Sequence, residues 1–327
     1  MSITVGVTNY NASKYVKKSL DSILTQTYKD IEIIIVDDKS NDESLEIIKD
    51  YEKKYKNITC IYHNENIGTP DYGRQEILEK SNSEYFIFMD SDDYFTVNET
   101  LENLLEPFFK DKQLDYVYCN LDIVNEDDKK KLTWKYKQYK PLEVVKGTFE
   151  RLGSSVLPMK GLFKKEFFIK NKLCWLNNYT AGDTITAIQN SKYNWKIKYI
   201  DENLISYRHR NNKNFSFNLE KRINAIINIT EYIINNFPEQ LYFSNINWEE
   251  QLNKEDLKNY MIIEYYYRIF LIFKSYEKNP KLWNLNKKFI DKKFFLPLVN
   301  IMERYLKMIK KENSYYLKAS KLLESIY

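Results

Sequence analysis

Short runs of apolar, β-branched or aromatic residues recur early in the chain, at Ile3–Val7, Ile31–Val36, Ile58–Tyr62, Tyr85–Met89 and Tyr116–Leu121. Runs of this length without polar alternation read as strands covered on both faces. Between the first two, Val16, Leu20, Ile23 and Leu24 recur at helical spacing after Asn11 and Ser13. Between the second and third, Leu45, Ile48 and Tyr51 do so after Asn41 and Asp42. Those polar residues stand where helix caps are wanted, although turn-forming roles fit them as well. Alternating strand and helix predicts an α/β fold around a mostly parallel sheet, with the ligand at the carboxyl ends of the strands.

After residue 210 the pattern becomes helical. Leu219, Ile223, Ile226, Ile227, Ile234 and Phe237 share one period; Leu257, Met261, Tyr265, Ile269, Ile272 and Phe273 a second; Phe295, Leu298, Met302, Tyr305, Leu306 and Ile309 a third. Two domains are therefore expected, 1–216 built on the sheet and 217–327 all-α. Glycine agrees in kind: the chain has seven, and none follows Gly182. Charge divides likewise. Residues 211–327 carry 19 Lys/Arg against 13 Asp/Glu, a net +6, so the total of +4 leaves −2 for the rest. A solvated helical face, an anionic partner or a homo-oligomer interface would each suit the basic half.

With 43% hydrophobic and 29% charged residues, disordered and fibrous classes are excluded. No Lys/Arg block resembles a nucleic-acid arm, so nucleic acid is not an expected partner. Cys60, Cys119 and Cys174 are too widely spaced for a zinc cluster and odd in number for a disulfide framework, which points to the cytoplasm. The first residues, Met1 to Thr8, read as a strand rather than a leader, and the longest apolar stretch, Met261 to Phe273, contains Glu264 and Arg268.

The polar residues at the strand ends carry the candidate chemistry. The first strand runs into Thr8-Asn9-Tyr10-Asn11 and the second into Asp37-Asp38-Lys39-Ser40-Asn41-Asp42. A carboxylate and a ring at adjacent strand ends can grip a heterocyclic base. The third leads to Asn66-Ile67-Gly68-Thr69-Pro70-Asp71-Tyr72-Gly73-Arg74, where a close-approaching backbone and a guanidinium suit a diphosphate, or simply make a turn. The fourth ends in Asp90-Ser91-Asp92-Asp93, hard oxygens able to hold Mn2+ or Mg2+. An acidic-x-acidic triplet arises by chance about six times at this composition, so only its position after a buried strand gives it weight.

Taken in order, these motifs resemble a bacterial family 2 glycosyltransferase of the GT-A fold over about residues 1–216. The resemblance extends to Gly161-Leu162-Phe163-Lys164-Lys165, Gly182-Asp183 and Tyr207-Arg208-x-Arg210. It implies that Thr8, Tyr10 and Asp38 bind the base, expected to be uracil. By the same analogy Asn66, Gly68 and Ser91 serve the nucleotide, Arg74 contacts its base or phosphates, Asp90 lies near the ribose, and Asp92 binds the metal. His209 either reaches the pyrophosphate, completes that metal site, or is a surface or loop-packing residue; His63 is expected to be structural. Asp183 falls where this family keeps its catalytic base, the rival reading being a helix N-cap.

The implied reaction is metal-dependent, inverting transfer from a UDP-sugar to a hydroxyl of a surface glycan by a cytoplasmic enzyme; an anionic or lipid-linked acceptor, or a peripheral place at the inner face of the membrane, would each suit the basic half. The sequence departs from the family at Gly182, where Glu is more frequent, at Gln75 in place of Asn, and by lacking a proline in the first turn. A sugar-phosphate nucleotidyltransferase or a non-catalytic nucleotide-sugar-binding protein are the alternatives.

Overall fold

The computed structural model describes residues 1–141, 143, 144, 148, 158–175, 182–210, 229 and 232. Chain contacts divide the polypeptide into Met1–Phe217 and Asn218–Tyr327. The helical stretches expected after residue 210 lie outside the described residues.

In the first unit the expected alternation is realised as β1 (Ile3–Asn9), α1 (Val16–Leu24), β2 (Ile31–Asp37), α2 (Ser44–Lys54), β3 (Ile58–Tyr62), α3 (Pro70–Lys80) and β4 (Tyr85–Asp90). There follow β5 (Tyr94–Phe95), α4 (Thr100–Lys110), β6 (Tyr116–Val124), β7 (Lys130–Trp134), β8 (Leu162–Lys164), α5 (Lys165–Lys170), α6 (Gly182–Ser191) and β9 (Ile197–Arg208). One sheet runs β3-β2-β1-β4-β8-β6-β9-β5, with β7 also on β6. The first four strands pair in parallel; β5, β7 and β8 enter antiparallel, so the sheet is mixed. The strand order reverses at β1, and the register Thr8↔Asp90 and Asn9↔Asp37 brings three polar strand ends to one place. That is where a sheet of this kind opens a crevice.

Each strand of the centre is apolar on both sides because each side is covered. Ile3, Val5, Val7, Ile33, Ile35, Ile87 and Met89 face an aliphatic layer with Leu20, Ile23, Leu101 and Leu104 of α1 and α4. Ile34, Val36, Phe86, Phe88, Tyr116 and Tyr118 face a layer rich in rings, with Phe163, Phe168, Trp175 and Trp195. There Tyr116 stacks on Phe163 at 4.1 Å and on Trp195 at 5.2 Å between centroids. Small residues of β1 admit α3: a Cβ on Gly6 would stand 2.5 Å from Ile77 Cγ2.

Two local expectations are corrected. Helix α1 begins at Val16 and α2 at Ser44, with no side-chain cap on either. The expected caps instead knit the loops after β1 and β2 together. Asn11 accepts from Asn41 N at 2.9 Å, and Asp42 accepts from Ser13 N at 2.9 Å and Ser44 N at 3.0 Å. Gly73, expected beside a diphosphate, lies inside α3, where a Cβ would be 3.1 Å from Val36 Cγ1 and 3.3 Å from Thr8 Cγ2. It brings helix and sheet close together.

Candidate active site

The two adjacent carboxylates after β2 have separate duties. Asp37 is buried and internally satisfied, accepting Asn9 Nδ2 at 2.7 Å, Ser40 N at 2.9 Å and Ser40 Oγ at 2.6 Å. Asp38 points to the loop after β3, taking the amides of Ile67 at 2.8 Å and Gly68 at 2.9 Å and Asn66 Nδ2 at 3.2 Å. Gly68 has φ +80°, the left-handed conformation that turns successive N–H groups toward one anion. The glycine loop, expected to cradle a diphosphate, thus closes on Asp38. His63 completes the ring of donors, with Nδ1 2.9 Å from Asp38 Oδ1 and Nε2 2.7 Å from Glu76 Oε2. Tyr10, directly after β1, is 49% exposed.

At the end of β4 the charges form a chain. Asp90 Oδ1 accepts from Arg74 at 2.7 Å and from Thr8 Oγ1 at 3.2 Å, and its Oδ2 meets Lys160 Nζ at 2.6 Å. Lys160 continues to Asp93 at 2.7 Å. Burial would raise the Asp90 pKa, but Lys160 and Arg74 outweigh it and hold the carboxyl well below the usual carboxylate range. Burial pushes Asp93 the other way, with Asp92 and Asp90 adding to the rise against Lys160. Lys160 itself is raised: burial opposes its charge, and Asp90 and Asp93 more than offset this. Ser91, buried, donates its amide to Thr8 O at 3.0 Å and so locks β4 to β1.

Arg74 reaches back as well as forward. Its other terminal nitrogen donates to Asp71 Oδ1 at 2.9 Å, so the guanidinium expected to touch base or phosphates is largely engaged within the protein. Thr69 caps α3 by accepting from Asp71 N, with Pro70 at the first helical position. Buried Asp71 also accepts Trp175 Nε1 at 2.9 Å and, on Oδ2, the backbone N–H of Gly182 at 3.1 Å. Gly182 opens α6, and Asp183 follows within the first turn. Asp183 therefore sits inside the helix rather than as its cap, half-buried, with Thr184 N on Oδ1 at 2.7 Å. Its negative charge acts on both Asp71 and Arg74, which puts it within electrostatic reach of the Asp90 chain.

Asp92 lies between Asp90 and Asp93 in sequence but pairs elsewhere, with Arg210 Nε at 2.9 Å from Oδ2. Burial raises its pKa, Arg210 lowers it and Asp90 raises it again, with a net rise. A buried carboxylate in that state gains from a further cation, and its hard oxygens fit one position of a divalent ion. His209 leaves β9 two residues after Tyr207, its amide on Val124 O at 2.8 Å. Among the described residues no three His, Cys, Asp or Glu side chains converge on one point. Arg208, part of the same motif, is fully buried: Nε donates to Asp92 O at 2.9 Å, Nη1 to Asn125 O at 2.8 Å, and Nη2 pairs with Asp128. It fixes the backbone beneath Asp92.

Thr8, Arg74, Asp90 and Ser91 are thus brought into contact at the carboxyl ends of β1 and β4, Asn66 and Gly68 meet Asp38, Asp92 pairs with Arg210, and Asp183 is tied to the first group through Gly182 and Asp71. Asp71 and Lys160 escaped the sequence reading. The signals for them were slight: an acidic residue three before Arg74 on a helix, and a lysine just ahead of the Gly161-Leu162-Phe163 segment. Cys60, Cys119 and Cys174 are free thiols, and no helix among the described residues is long and apolar enough to cross a membrane.

The glycosyl transferase family 2 pattern matches residues 4–171. Over 127 residues the chain is 37% identical to a poly(ribitol-phosphate) beta-glucosyltransferase of Bacillus spizizenii, a match spanning 38% of this chain but only 20% of that enzyme. Staphylococcus aureus TarS 1–349 in complex with UDP superposes with a TM-score of 0.63 at 17% identity, covering 100% of this chain and 89% of that one. With UDP-GlcNAc the TM-score is 0.61 at 18% identity, over 95% and 82%. A mannosyltransferase of Pyrobaculum calidifontis in complex with GDP-Man and Mn2+ gives 0.50 at 13%, over 97% and 85%. These structures share the Rossmann-like GT-A fold, with its mixed, curled sheet, and the chain belongs to glycosyl transferase family 2.

Proposed function

We propose that this chain transfers a sugar from a UDP-sugar to a hydroxyl of a bacterial surface glycan of the teichoic-acid, capsule or lipooligosaccharide type, with inversion at the anomeric carbon. The observation that carries the reading is the buried sequence of contacts Lys160–Asp90–Arg74–Asp71–Gly182, which links the nucleotide-side carboxylates to the turn bearing Asp183. The relatives supply the substrate class: one acts on poly(ribitol-phosphate), and one neighbour is solved with UDP-GlcNAc.

In this mechanism Asp183 takes the acceptor hydroxyl proton as that oxygen forms its bond to the anomeric carbon, and the bond from that carbon to the diphosphate breaks, releasing UDP. Thr8, Tyr10, Asp38, Asn66 and Gly68 hold the uridine, and Asp90 and Ser91 the ribose side. Arg74 and Lys160 keep the Asp90 carboxylate ionised and oriented. Mn2+ or Mg2+, held by Asp92 and His209 with the donor diphosphate, would offset the charge of the leaving group. Residues 1–216 form the catalytic domain, and residues 217–327, basic overall, are assigned to acceptor binding or homo-oligomer assembly at the cytoplasmic face of the membrane.

The test is UDP release by the full chain with UDP-glucose or UDP-GlcNAc, Mn2+ and a ribitol-phosphate polymer. Transfer to polymer with a β linkage is expected. Folded protein that releases no UDP with any common UDP-sugar and either ion overturns the proposal.

A further inference from the structure

His63 sits just past β3 with its side chain 9% exposed, and both ring nitrogens face carboxylate oxygens. A neutral imidazole has one N–H and one lone pair, so only the doubly protonated ring satisfies Asp38 at 2.9 Å and Glu76 at 2.7 Å together. Other elements close the ring in: Asp38 comes from the loop after β2, Glu76 and the edge of Tyr72 from α3, with Tyr72 at 5.7 Å between centroids. Asp38 and Glu76 are the charges that act on it. Burial lowers the His63 pKa, and the two carboxylates more than reverse this, leaving it raised.

The other end of the contact is the carboxylate assigned to the base. Asp38 takes four donors: His63 Nδ1 and Ile67 N on Oδ1, Gly68 N and Asn66 Nδ2 on Oδ2. Four is about the capacity of a carboxylate, so an incoming base N–H must replace one. Asn66 has the longest of these contacts, 3.2 Å, and retains a second bond to Asp38 O at 2.9 Å, so it can yield. The remaining three donors then set which way the carboxylate faces.

We propose that His63 is a positioning residue for nucleotide recognition: braced by Glu76, its imidazolium holds Asp38 in the orientation that accepts the imide N–H of a uracil base. This rests on the uridine reading of the Asp38 site given above. Its consequence is a pH-dependent donor affinity. Below the raised His63 pKa both contacts hold. Above it one nitrogen turns a lone pair toward a carboxylate, one contact breaks, and uridine binding weakens.

Isothermal titration of the full chain with UDP and CDP between pH 6 and 8, below the range in which the uracil imide itself ionises, tests this, with circular dichroism confirming each variant is folded. The wild type binds UDP more tightly than CDP, whose cytosine lacks that N–H, and loses UDP affinity as pH rises. His63→Gln binds UDP roughly tenfold more weakly at pH 6, the size of one charge-assisted hydrogen bond, and its profile is flat. Glu76→Gln moves the fall to lower pH, because His63 loses one of its two partners. Wild-type affinity and profile in either variant overturn the positioning role, and Glu76→Gln alone decides if His63→Gln fails to fold. A wild type with no preference for UDP over CDP sinks the uridine reading and this inference with it, a result distinct from a variant that behaves like the wild type.

Discussion

Asp71 accepts the backbone N–H of Gly182 at 3.1 Å, joining two helices across 111 positions of sequence. The same carboxylate holds Arg74 through its other oxygen, so the start of α6 and the arginine against Asp90 share one anchor. An active site that must align a base with a leaving group needs such a link, because errors near 1 Å in placement are costly in rate.

Asp71→Asn keeps the shape but removes the charge opposite Arg74 inside the protein. Breaking a buried pair in this way destabilises by roughly 3 kcal/mol. A lower midpoint in chemical denaturation is expected, together with a kcat reduced more than KM is raised. Unchanged kcat in folded protein would show that α6 does not depend on this anchor.

Asp183→Asn tests the base. Loss of a general base typically costs about 10²–10⁴ in rate, with ground-state binding little affected. Single-turnover transfer should fall by that factor while UDP binds normally. A variant that transfers at the wild-type rate removes Asp183 from the mechanism.

Lys160→Met leaves Asp90 with Arg74 alone and Asp93 without its ion pair. Asp90 has a folded pKa below its ordinary 3.8, so its contribution to stability is present above that value and is lost as pH falls through the folded value. With one cation gone the folded value rises, and acid unfolding should begin at higher pH than in the wild type. Acid titration followed by circular dichroism measures this; coincident curves would show that Lys160 does not set the charge balance.

Gly6→Ala probes the seat of α3. The added methyl would stand 2.5 Å from Ile77 Cγ2, and overpacking of this kind costs about 1–3 kcal/mol. Thermal melts should show the loss, and adding Ile77→Ala, which removes both Cγ2 and the Cδ1 at 3.0 Å, should give a double variant that loses less than the two single changes summed. A Gly6→Ala protein as stable as the wild type would mean that α3 shifts at little cost.

Five strands and the helices between them were legible because β1, β2, β4 and β6 are buried on both faces, which leaves continuous apolar runs that local reading detects, whereas β3, at the edge of the sheet and only partly covered, was legible from its β-branched and aromatic residues. The observed strands run slightly further, β4 to Asp90 and β6 to Val124, where tertiary pairing rather than composition sets the end. The two- and three-residue strands β5 and β8 carry no period of their own, and their antiparallel entry made the sheet mixed.

By itself the sequence determined the α/β class and the polar strand ends at which chemistry gathers, since both follow from local pattern: apolar runs, and carboxylates directly after them. Only the tertiary structure decided partners. Asp37 and Asp38 are adjacent yet one is sealed against Asn9 and Ser40 while the other is ringed by His63 and the Gly68 loop. Lys160 and Asp71 became visible as parts of the charge chain only once residues 70 and 111 positions away stood beside them. A side chain's chemistry is written in its residue type, but its charge state and orientation depend on neighbours brought by folding, and no spacing rule encodes those.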